Sequence, residues 1–167
     1  MPRFPPLFDL GRASRPEDFT GALTPRHGEN ERPWDGIVIA GQSISLELNI
    51  RNVSDDVINP SYAEFPNLQV VCASDLTADG HTNATLRPFE NLFYVTNPPL
   101  GPGEEGGVGP MTLPMTDADI GPMTCAAVIV APGIDGRPIT RLTRIAPVTF
   151  TVVAAPPPTA TTTTNAL

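Results

Sequence analysis

Two cysteines, two histidines and a set of loop carboxylates are the groups in this chain from which a reactive site would have to be built. A cysteine nucleophile needs a base poised beside it, and the only imidazoles belong to His27 and His81, so neither Cys72 nor Cys125 reads as catalytic. Two cysteines fall short of a disulfide framework and lack the spacing of a metal knuckle. Synthesis in a reducing cytosol favours a pair of buried thiols. Calcium needs several loop carboxylates converging on one point. Asp75, Asp79 and Asp135 fall in turns, and Asp117 with Asp119 follows Thr116, but aspartate is also the default turn and cap residue, and that structural role is the expectation here. Glu104 and Glu105, adjacent in LGPGEEGG, point apart on an extended chain and read as an exposed turn, not an acid/base pair. All ten basic residues are arginines, which rules out chemistry that needs a lysine amine, such as a Schiff base or a P-loop. The expectation is therefore a protein that is not an enzyme, with no catalytic residue, no cofactor and no metal.

The chain that must position these groups is rich in proline, with 21 in 167 residues, more than twice the usual ~5%. Proline is excluded from helix interiors and central strands, so the chain is expected to be all-β with many turns. A formal net charge of −8 repels phosphate backbones and anionic lipid, which argues against nucleic-acid and membrane partners. No stretch approaches the ~20 apolar residues of a membrane span. The opening MPRFPPLFDL breaks with prolines where a secretory leader needs an unbroken apolar run, so no signal peptide is expected.

Three zones follow from composition. Residues 1–35 hold six prolines and scattered Phe4, Phe8, Phe19 and Trp34 without a period of 2 or 3.6, and read as an extended arm whose aromatics seek a surface. These four residues are the candidate partner-binding positions, Trp34 having a second reading as a plug under the first strand. Residues 155–167 (APPPTATTTTNAL) form a Pro/Thr tail with no core-forming capacity. Between them, 36–154 is the folded unit. In 43–52, Ile44, Leu46, Leu48 and Ile50 alternate with polar residues, a strand with one wet and one buried face, and NVSDD at 52–56 follows as a turn. Further strands are predicted at 37–40, 68–73, 92–96, 111–115, 124–130, 138–143 and 148–153, and a single helical turn at 116–120 with Thr116 as cap. Seven or eight short strands between Gly/Pro turns predict a Greek-key sandwich.

Several phrases of this unit carry a resemblance. GIVIAGQSISLELNIRN at 36–52, LGPGE at 100–104, MTDADI at 115–120, then 124–129, Gly136 and 148–153 resemble the conserved immunoglobulin-like repeat of prokaryotic surface proteins, covering 36–154 as a single copy. That resemblance implies an Ig-like β-sandwich and leaves function open. It also supplies the alternative for the cysteines, a pair facing one another across two sheets in the manner of an Ig disulfide. Members of that family carry several copies, a secretion signal and an anchor, whereas one copy between two arms is similar to the decoration and minor head proteins of tailed bacteriophages. This implies a virion protein on the capsid exterior, made in the host cytoplasm, whose partners are the major capsid protein and neighbouring copies of itself, with a homo-oligomer on the particle as one arrangement. A cell-surface or secreted binding module is the alternative. Asn52-Val53-Ser54 and Asn83-Ala84-Thr85 match the glycosylation acceptor pattern, which matters only on a secretory route.

Overall fold

Apolar side chains at every second position from Ile44 to Ile50 commit that stretch to an extended strand with one dry face, and the rest of the domain is assembled around it. The computed structural model describes residues 11–29, 31–59, 68–74, 76, 87–88, 99–130, 139–141 and 144–157. Its strands are β1 (Arg12–Ala13), β2 (Phe19–His27), β3 (Ile37–Ile39), β4 (Ser43–Asn52), β5 (Ile58–Asn59), β6 (Leu68–Ala73), β7 (Arg87–Pro88), β8 (Glu105–Pro114), β9 (Gly121–Val130), β10 (Ile139–Arg141) and β11 (Val148–Val153). The helical residues among those described are two single 3-10 turns, Pro16–Asp18 and Asp117–Asp119. A three-stranded sheet, β2-β4-β8, packs on a six-stranded one, β3-β11-β9-β6-β7, in which β10 also pairs with β9. The chain is thus an all-β sandwich of two sheets, as its alternation and turn spacing predict. A separate two-residue parallel ladder joins β1 to β5.

On β4 the outcome matches the pattern: Ile44, Leu46 and Leu48 are fully buried and Ile50 is 2% exposed, while Asn49 and Arg51 face water. Val148, Phe150 and Val152 of β11 meet them from the larger sheet within one core cluster. The predicted turn at 116–120 is the second 3-10 turn, where the Asp119 carboxylate accepts the Thr116 backbone N–H (2.7 Å) and hydroxyl (3.1 Å). The predicted strand at 92–96 lies outside the described residues.

The arm is shorter than the sequence reading has it. Residues 19–27 form an edge strand of the smaller sheet, paired with β4 along its full length from Phe19↔Asn52 to His27↔Ile44, so the sandwich begins well before residue 36. Opposite the buried residues of β4 stand Phe19, Gly21, Leu23, Pro25 and His27, of which Gly21 is exposed and Pro25 half-buried. Glycine and proline in two of the five hide the period. Proline is tolerated because β2 lies at an edge. At Gly21 a Cβ would run into the Asn49 carbonyl oxygen, so the close approach of β2 to β4 requires glycine there.

The opposite edge strand, β8, carries a bulge. Leu46 pairs with Met111 but Leu48 with Val108, so Gly109 and Pro110 together oppose Glu47. In the larger sheet, β6 and β9 are buried on both faces: beneath the main core's Leu68, Val70, Cys125 and Ala127, a second cluster of Val71, Ala73, Leu76, Ala126 and Val128 covers the far side. The cysteines are also placed differently from expectation. Cys72 and Cys125 are bonded, not free, and lie directly opposite one another on adjacent strands of one sheet, with Cα atoms 4.0 Å apart. The register of β6 on β9 sets the two sulfurs face to face. The bond is also not an inter-sheet link.

Strand directions give the sandwich two distinct ends. β4 runs from Ser43, just after Gly41, whose φ of 98° turns the chain between sheets, to Asn52. Residues 11–13 sit at the Asn52 end, with Arg12 N–H on the Val57 carbonyl. β11 leaves the domain at the Gly41 end, where Ala40 N–H donates to the Val153 carbonyl.

Candidate functional site

At the Asn52 end a polar network fixes the start of the described chain. The Arg12 guanidinium forks onto both Asp18 oxygens at 2.8 Å each, and its Nε donates to Asp56 at 2.8 Å. The backbone N–H of Arg15 adds a 2.6 Å bond to Asp18. The Asp18 side chain is only 2% exposed. Burial alone would raise its carboxyl, but the hydrogen bonds from Arg12 and Arg15 and the Arg12 charge outweigh it and hold the group below the usual carboxylate range. Asn52, fully buried, donates to the Asp56 and Leu100 carbonyls and accepts from Ser54 N–H and Oγ. This is the predicted NVSDD turn, and it places the Asn52 amide inside the fold.

Around this fixed end the surface is recessed. One recess of ≈600 Å³ is walled by Thr20, Arg51, Val53, Asp55, Pro102 and Gly103. A second, of ≈720 Å³, shares Thr20 and Arg51 and continues onto the outer face of the smaller sheet past Glu47, Asn49 and Glu105, over glycines that include Gly107 and Gly109. The trough exists because β8 has no side chain at these glycines and bulges opposite Glu47. Val53, 42% exposed, is a large apolar group left on its rim. The arrangement has hydrogen-bonding walls and accessible backbone, which suits docking of a polypeptide surface.

A second polar cluster closes the crossing from β2 to β3. His27, whose side chain is 1% exposed, shares its Nε2 with Asp35 at 3.1 Å, and Arg32 reaches Asp35 at 3.0 Å. Asp35 lies below the usual carboxylate range, first because the Ile37 N–H donates to it and then because of His27 and Arg32. Trp34 packs against His27 with ring centroids 5.2 Å apart and planes tilted by 45°, and makes a T-shaped contact with Phe150 at 5.9 Å.

Of the four candidate partner-binding residues, Phe19 is 0% exposed in the main core and cannot meet a partner. Its position at the start of β2, opposite buried Asn52, makes it a core residue. Trp34 is half-buried and packs against that core, the placement of a plug under the first strand. Phe4 and Phe8 lie outside the described residues, as do His81, Asp75, Asp79 and Asp135. Among the described residues no three metal-ligating side chains come together. Sequence reasoning missed Val53, Thr20 and Arg51; the glycine run 106–109 beside the alternating β4 was the available signal for the trough. Compared with models of known families, with the curated proteins and with the solved structures, the chain matches none of them.

Proposed function

We propose that this chain is a virion structural protein, a capsid decoration or minor head protein that holds the major capsid protein or neighbouring copies and displays an acidic Ig-like domain. The observation that carries the reading is the strapped N-terminal segment. Arg12 and the β2–β4 ladder fix residues 11–27 to the sandwich, which gives the domain a preformed surface that loses little freedom on docking. The order of the strands supports the Ig-like assignment. β2-β4-β8 against β3-β11-β9-β6-β7, with β3 parallel to β11, is similar to the two sheets of that sandwich type. A net charge of −8 keeps such particles soluble and mutually repelling. Intact virions purified from the source should retain the chain through density sedimentation. Its absence from washed particles refutes the reading.

One observation favours the second reading, a cell-surface or secreted binding module. The Cys72–Cys125 disulfide belongs to oxidising compartments. Alkylation of intact cells before lysis separates the two: a bond already formed in the cytosolic pool is not required by a virion protein, whereas a surface module carries it throughout.

A further inference from the structure

We infer that β2 is a self-association edge: its stretch from Gly21 to Pro25 pairs antiparallel with the same stretch of a second copy, across a two-fold axis at Ala22, and joins the two smaller sheets into one. The inference goes beyond the virion reading and does not depend on it.

The first observation is which backbone groups β2 leaves unused. Gly28 N–H donates to the Ser43 carbonyl and Val53 N–H to the Asp18 carbonyl. The register between these two points is unbroken, so the hydrogen-bonded pairs of the β2–β4 ladder fall on the even-numbered residues of β2. The odd-numbered residues turn their N–H and C=O away from β4. Of these, Phe19 is fully buried and His27 packs against Trp34, which leaves Gly21, Leu23 and Pro25. Gly21 and Leu23 have no backbone partner on that side among the described residues. Proline is tolerated at 25 because the N–H it lacks belongs to the open side.

Other edges are blunted. On β3 the Ile37 N–H donates to Asp35, the Ile37 carbonyl accepts from Arg32, and the Ile39 carbonyl accepts from Gln42 N–H. β8 has its bulge, prolines at 110 and 114 that offer no donor, and a Gly107 that is already engaged. β7 is two residues long. β2 is the edge that a further strand can join.

The second observation is charge, and it selects the occupant. From Phe19 to Pro25 the strand carries no charged residue, while exposed Glu17 precedes it and exposed Arg26 follows it. Antiparallel pairing with a copy brings the acidic start of each strand to the basic end of the other. In a chain of net charge −8, this neutral stretch is where two copies can approach. With the axis at Ala22, Gly21 of each copy pairs with Leu23 of the other, and every outward N–H and C=O of both residues is used. On the outer face Thr20 stands opposite Thr24 of the second copy, a favourable cross-strand pair, and Ala22 stands opposite its own copy. An edge that pairs with itself closes into a dimer and does not propagate.

The test uses the full chain. Sedimentation equilibrium should show a monomer–dimer equilibrium. Ala22 is exposed, so Ala22→Glu and Ala22→Arg should keep the wild-type melting temperature. Each should weaken dimerisation at least about tenfold by setting like charges face to face, and mixing the two variants should restore it. Thr112→Glu, exposed on β8, adds the same charge as Ala22→Glu and should change nothing. Because Cys72 and Cys125 are bonded to each other, Ala22→Cys adds the single free thiol of the chain. Non-hydrogen-bonded partners lie about 4.5 Å apart between Cα atoms, within disulfide reach, so this variant should crosslink into a covalent dimer on mild oxidation. A chain that stays monomeric up to its solubility limit overturns the inference. So does a dimer that Ala22→Glu leaves unchanged or that Ala22→Cys fails to crosslink, because its contact then lies elsewhere. A dimer in solution together with absence from washed particles refutes the virion reading alone.

Discussion

Asp18 shows how a single side chain can tie a segment to a fold. Its carboxylate is nearly inaccessible yet charged, because Arg12 forks onto it and Arg15 donates from the backbone. Removing Asp18 takes two charge-assisted bonds from Arg12, which keeps Asp56, and the acceptor from the Arg15 N–H, at a cost of about 1.5–3 kcal/mol. Asp18→Ala should lower stability by that order in urea unfolding, and far more than Asp55→Ala on the exposed rim. The pH dependence has a definite sign. A carboxyl held below its ordinary range in the folded state contributes stability that is full above that range and disappears as pH falls through the folded value. The stability gap between wild type and Asp18→Asn should therefore be constant near neutrality and shrink in acid. On β4 the contrast is between faces. Leu48→Ala, at a fully buried position, should cost about 2–5 kcal/mol, and Glu47→Ala, on the wet face, should cost little. Equal losses would show that the faces are misassigned.

Among the elements, β4 and β11 were legible because every second residue is apolar, and the structure reproduces their predicted bounds. β2 was not. Gly21 and Pro25 stand opposite buried Ile50 and Leu46, each for a local reason, a close backbone approach and an edge position, and neither leaves a hydrophobic mark. β6 and β9 were seen as strands, yet their near-continuous apolar runs, LQVVCA and CAAVIV, carried a further message: burial on both faces. The trough left only a faint mark, the glycines at 106, 107 and 109, because it consists of missing side chains. These placements change what truncation should do. Deleting residues 1–10 should leave the cooperative unfolding transition intact. Deleting 1–33 removes β2 with Phe19 and Leu23 and uncovers β4, so that fragment should be unfolded by circular dichroism and aggregate.

For the molecule as a whole, sequence pattern identified the architecture and misjudged its outline, because a strand without a hydrophobic signature looks like an arm. The cysteines were placed in the right strands but not in the right relation, since register between distant strands is not written locally. Their bond closes a loop with a sequence separation of 53, and a chain-entropy estimate gives it about 4 kcal/mol. Cys72→Ala with Cys125→Ala should show a loss of that order in thermal unfolding. The same bond has a mechanical consequence. Because the chain enters at one end and leaves at the other, a pull between its termini loads the β2–β4 and β3–β11 ladders lengthwise, so their hydrogen bonds resist together in shear. Whatever gives way first, the residues between the two cysteines stay out of the force path while the disulfide is intact. A single-molecule extension trace should lengthen by about 18 nm on reduction, the reach of 53 extended residues, and a trace indifferent to reductant would place the bond outside the stretched chain.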